Sequence, residues 1–119
     1  MRTGWTWTKI ADRYEQLATH RPKTPYIDYA QGMLELLPHL RRRLRFADLR
    51  LGMAAYTLTI GLNSHRRMVH IDWECANQFS VYIDHCGERF YSDRIEAALP
   101  DTVATTEQFL ERISREVRV

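Results

Sequence analysis

Little in this chain of 119 residues points to export, a membrane or a disulfide framework. Two cysteines, Cys75 and Cys86, are too few for the cystine scaffolds of small secreted domains. The longest apolar-leaning run, Leu51 to Leu62, spans 12 residues and carries two threonines. That is short of the roughly 20 apolar residues a membrane span needs. The N-terminus, Met1-Arg2-Thr3-Gly4-Trp5, lacks the apolar stretch of a signal peptide. Lysine is scarce as well: of 17 basic residues only Lys9 and Lys23 are lysine. The expectation from these absences is a cytosolic protein with no membrane contact.

Hydrophobic residues make up 45% of the chain and charged residues 27%, an ordinary globular composition. The length suits one domain over 1–119, large enough for a real core and too small for two. The net charge of +2 conceals an uneven distribution. Residues 1–67 carry 12 basic and 5 acidic side chains, residues 68–101 carry 2 basic and 7 acidic, and the remainder is balanced.

Apolar residues recur at helical spacing in three places. Trp7, Ile10, Ala11, Tyr14, Leu17 and Ala18 form one stripe, which predicts a helix over 7–19 stopped by Pro22. Thr24-Pro25 resembles an N-cap with proline at the first helical position, followed by Tyr26, Ala30, Met33, Leu34 and Leu37 on one side. Pro38 is expected to kink or divide this second helix, with Leu40 and Leu44 continuing the stripe to about Leu49. Near the C-terminus, Thr105 with Gln108 fits a capping box ahead of Phe109, Leu110, Ile113 and Val117.

A hairpin is the alternative for 26–37, with Tyr-Ile-Asp-Tyr and Met-Leu-Glu-Leu-Leu as strands around Ala-Gln-Gly. In that form the segment resembles the opening hairpin of the Uma2-type endonucleases. Those enzymes need an acidic pair followed by a lysine on adjacent strands. No lysine follows Lys23, so the chain departs from that family where its chemistry lies.

Between the helical segments the pattern has period 2. Tyr56, Leu58, Ile60 and Leu62 alternate with smaller or polar residues, as do Val69, Ile71, Trp73 and Cys75, and then Phe79, Val81, Ile83 and His85. A short strand around Arg89 to Ser92 follows the Cys86-Gly87-Glu88 turn. The fold class expected is two-layer α+β, in the order α-α(kinked)-β-β-β-β-α. A four-stranded antiparallel meander carries the helices on one face.

Burying odd-numbered residues on both strands of the second hairpin requires opposed positions of equal parity. With Ala76-Asn77-Gln78 as the loop, Trp73 faces Val81 and Ile71 faces Ile83. On the other side Glu74 faces Ser80, Asp72 faces Tyr82 and His70 faces Asp84. This register separates Cys75 from Cys86 by roughly 20 Å, on opposite faces, so no disulfide joins them. Cys75 is expected in the core. The polar face collects Thr57, Thr59, His70, Asp72, Glu74, Ser80, Tyr82 and Asp84, and is expected to be solvated.

No motif assigns a chemistry. His70, Asp72 and Asp84 are metal-ligand types, but no HxxxH, CxxC or HExxH spacing supports a metal. His85 and Cys86 are neighbours on a strand and point apart, which removes a Cys–His nucleophile. Ser nucleophile elbows, P-loops and dinucleotide fingerprints are missing. The expectation is a non-catalytic protein-binding module without a cofactor. Its acidic face, with His70, Asp72, Glu74, Tyr82 and Asp84, would hold a basic partner in the manner of an inhibitor or immunity protein, and Trp5 would add an aromatic anchor. The alternative is RNA or DNA binding through Arg41, Arg42, Arg43, Arg45 and Arg50. A homodimer is a third option.

Overall fold

The computed structural model describes residues 4–19, 26–63, 65–84 and 91–116. Helices α1 (Trp7–Ala18) and α2 (Tyr26–Arg43) come first. Strands β1 (Leu49–Ala54), β2 (Thr57–Leu62), β3 (Met68–Cys75), β4 (Gln78–Asp84) and β5 (Tyr91–Ala98) follow, and α3 (Leu99–Ser114) closes the order. The strands form one antiparallel sheet in the order β1-β2-β3-β4-β5. The fold is α+β as expected, with five strands rather than four.

The added strand is β1, in a region assigned to the end of the second helix and to an apolar run. Leu49, Leu51 and Met53 do alternate with Arg50, Gly52 and Ala54, but no Gly or Asn marks the turn that follows. Ala55 and Tyr56 make that turn, with Ala55 in the left-handed region at φ 56°. Helix α2 ends at Arg43 rather than near Leu49 and runs through Pro38 as one element. Pro38 is exposed, on the side of the helix turned from the core. Helix over 26–37 also removes the hairpin alternative. Thr24-Pro25 lies outside the described residues.

Helix α3 starts at Leu99, six residues before the expected capping box. Its start is marked by Pro100 in the first turn, and β5 feeds into it without a loop. Thr105 and Thr106 are buried within the helix; the Thr106 hydroxyl donates back to the Thr102 carbonyl at 2.8 Å. Strand β5 reaches Ala98 rather than ending at Ser92. The Cys86-Gly87-Glu88 turn, with His85, lies outside the described residues.

The apolar parity holds: Leu58, Ile60, Leu62, Val69, Ile71, Phe79, Val81 and Ile83 are all buried. They pack with Ile10 and Tyr14 of α1, Met33, Leu36, Leu37 and Leu40 of α2, and Phe109, Leu110 and Ile113 of α3. The β3–β4 register, however, is two residues tighter than expected. Trp73 pairs with Phe79, Ile71 with Val81 and His70 with Tyr82. A two-residue turn, Ala76-Asn77, replaces the three-residue loop, and a bulge between Trp73 and Cys75 absorbs the odd residue. Ala76 takes φ 46°. The bulge and the hairpin end leave Cys75 exposed rather than in the core.

Helix α2 approaches the sheet closely at Gly32. A Cβ there would stand 2.1 Å from Trp73 Cδ1, so the bare glycine lets the indole lie against α2. The indole N–H donates to the Ala76 carbonyl at 2.9 Å, which fixes the ring. Gly32→Ala is therefore expected to cost about 1–3 kcal/mol through forced displacement of the indole. Urea unfolding followed by tryptophan fluorescence will measure it.

Candidate functional site

The expected polar face is not a solvated surface. Ser80 is 0% exposed, and Thr59 and Tyr82 are each 7% exposed. At its centre is the half-buried carboxylate of Asp72 on β3. Its Oδ1 accepts from the Tyr29 hydroxyl of α2 at 2.6 Å and from the Thr57 hydroxyl of β2 at 2.6 Å. Its Oδ2 accepts from the Tyr82 hydroxyl of β4 at 2.7 Å. Three hydroxyl donors thus compensate a charge that burial would otherwise penalise.

The network extends to the β1–β2 turn. The Tyr56 carbonyl accepts from the Tyr14 hydroxyl at 2.6 Å and lies 3.0 Å from the Tyr29 hydroxyl. The single Tyr29 proton goes mainly to the carboxylate, the shorter and charged acceptor. Rings fill the spaces around these bonds. Tyr14 and Tyr29 are tilted with centroids 6.4 Å apart, Tyr26 and Tyr56 are at 4.8 Å, and His70 stacks on Tyr82 at 5.2 Å. Burial pushes the Tyr14 and Tyr29 hydroxyls well above the usual tyrosine range, and the neighbouring Asp72 charge pushes both further.

Chemically the arrangement is an anchor. Each carboxylate oxygen is occupied by a hydroxyl, and the two phenols resist losing their protons, the reverse of what a general base or nucleophile needs. Among the described residues no group of three or more His, Cys, Asp or Glu side chains could hold a metal ion. The remaining members of the expected acidic surface differ in exposure. Glu74 is exposed and accepts a hydrogen bond from Ser80, His70 is half-buried against Tyr82, and the Asp84 side chain lies outside what the structure describes.

No family model, curated protein or solved structure matches this chain. No helix among the described residues is long and apolar enough to cross a membrane.

The arginine segment divides into two groups. Arg41, Arg42 and Arg43 form the exposed last turn of α2, and Arg45 is exposed just beyond it. Arg43 pairs with Glu107 of α3 at 3.0 Å. Arg42 and Arg43 join His39, Leu99, Pro100 and Val103 around a groove of about 400 Å³. Arg50 leaves this cluster. It is half-buried on β1 and donates to the carbonyls of His65 at 2.9 Å and Arg66 at 3.4 Å.

Sequence reasoning missed Tyr14, Tyr29 and His39 as members of these sites. One signal did exist: Tyr14 falls on the core stripe of its helix, and a buried phenol must find a partner for its hydroxyl.

Two outcomes follow from the tyrosine–carboxylate network. Asp72→Ala removes the carboxylate that accepts from three hydroxyls and is expected to cost on the order of 3 kcal/mol, read from the urea midpoint. Alkali is also expected to unfold the protein. An unfolded tyrosine ionises near pH 10, whereas Tyr14 and Tyr29 in the fold stay protonated above it. Their stabilisation is complete below about pH 10 and falls as pH rises past it. Absorbance at the tyrosinate band should show at least these two of the six tyrosines ionising only as the chain unfolds.

Proposed function

We propose that this domain is a non-catalytic binding module whose partner is a nucleic acid, held by its phosphates at the end of α2. The observation that carries the reading is the grouping of Arg41, Arg42 and Arg45 with His39 on one exposed helix end beside an open groove. Cations in a last helical turn also sit favourably in the helix dipole, so the cluster costs the fold little. Arginine suits phosphate because its planar fork donates two parallel hydrogen bonds. Arg43 contributes less, since Glu107 already occupies it, and Arg50 belongs to the β1 framework. A cytosolic setting is part of the same proposal.

The competing surface, an acidic face that docks a basic protein, has less support. Asp72 spends its charge on internal hydroxyls, and Tyr82 and Ser80 are buried. Glu74 is exposed, so Glu74→Lys is the clean test of that surface. Asp72→Lys would disturb the fold first.

Replacing Arg41, Arg42 and Arg45 together by glutamate is expected to abolish binding of a labelled single-stranded oligonucleotide and leave the circular dichroism spectrum unchanged. Each lost phosphate contact should also remove about 0.7 from the slope of log affinity against log salt for a single strand. An unaltered affinity with an unaltered slope would end the nucleic-acid reading. Loss of binding in Glu74→Lys to a basic protein recovered from host lysate would favour the other surface.

A further inference from the structure

Trp5 and Arg50 belong to neither surface, yet they line one cavity. It has a volume of about 430 Å³ and is bounded by Trp5 and Thr6 ahead of α1, by Leu49, Arg50 and Leu51 of β1, and by Asn63. The segment leading into α1 is held in place. The Lys9 amine donates to the Gly4 carbonyl at 3.0 Å, and the Lys9 amide donates to the Thr6 hydroxyl at 3.1 Å. Trp5 between them stays 37% exposed. Its indole approaches Gly52 of β1, where an added Cβ would stand 4.0 Å from Cδ1.

Arg50 brings an uncompensated charge to this cavity. One guanidinium nitrogen is held by the carbonyls of His65 and Arg66, which fixes the plane of the group. Its Nε is buried with no hydrogen-bond partner, and the side chain makes no ion pair among the described residues. No carboxylate is among the described residues that line the cavity. A half-buried cation without a counter-ion is unfavourable, and a bound anion removes that penalty. One guanidinium, already partly engaged, matches a single negative charge better than a phosphate dianion. The indole, which approaches Gly52 on the same face of β1 as Arg50, supplies an apolar surface for a planar body.

We propose that this cavity binds a small monocarboxylate with a planar apolar body, of the arylalkanoate class. Its carboxylate lies at Arg50 and its body lies against Trp5. The site is separate from the basic groove at the end of α2, so its test does not depend on nucleic-acid binding.

The test titrates the full ¹⁵N-labelled chain with 3-phenylpropionate and, in parallel, with 3-phenylpropionamide, which keeps the body and lacks the charge. The expected result is saturable shift changes centred on residues 5, 50 and 63 with the carboxylate, and affinity about tenfold weaker with the amide. Trp5→Leu should weaken the carboxylate by about tenfold while the remaining spectrum is retained. Arg50→Lys should weaken it as well. Because Arg50 also braces residues 65 and 66, Trp5→Leu and the amide comparison decide the matter if that variant does not fold. No localised shifts at about 10 mM probe, equal affinity for acid and amide, or an unchanged affinity in Trp5→Leu would each overturn the proposal.

Discussion

The carboxylate of Asp72 is the point on which the arrangement of helices and sheet turns. It sits half-buried on β3 and takes hydroxyls from α2, β2 and β4, so three elements separate in sequence must arrive together to solvate it. Tyr29 also lies beside the Tyr56 carbonyl, which accepts Tyr14 from α1, and this extends the connection to the first helix and the β1–β2 turn. A fully occupied buried network of this kind specifies geometry more than it adds net stability, because a partly satisfied version is worse than none. The apolar core supplies the bulk of the driving force, and Asp72 selects the way in which α1 and α2 settle on the sheet.

That constraint bears on function by removing acid from the surface. The segment richest in carboxylates holds Asp72 half-buried, where three hydroxyls solvate it. Among the described residues the arginines of the last turn of α2 have no comparable sink, apart from Arg43 with its Glu107. Two residues equally acidic or basic in composition therefore differ in availability: Asp72 is engaged, while Arg42 faces water beside a groove. Arg50 is a third case, a cation braced by carbonyls and without an ion pair among the described residues. Net charge alone distinguishes none of these.

Much of the fold was legible from residue pattern. The α1 stripe from Trp7 to Ala18, the period-2 runs over β2, β3 and β4, and the buried run of Phe109, Leu110 and Ile113 all follow from which residues avoid water at which spacing. Boundaries were less legible wherever an ordinary residue performs an unusual task. Ala55 and Ala76 adopt positive φ at the first position of two-residue turns, where a glycine or asparagine would have been the cue. Pro38 interrupts the sequence pattern without interrupting the helix, because its exposed position limits the damage.

By itself, the sequence determined the α+β class, the parity of each strand and the apolar stripe of each helix, since these depend only on local periodicity. Register, the burial of the polar face and the separation of Arg50 from its neighbours were decided by tertiary structure. Parity is unchanged by a two-residue shift, so period 2 could place Asp72 on the correct face and still pair it with the wrong partner. Whether a polar side chain meets water or a phenol depends on what another element brings over it. Tyr29 lies 43 positions away along the chain from the carboxylate it holds, and no local pattern encodes that meeting.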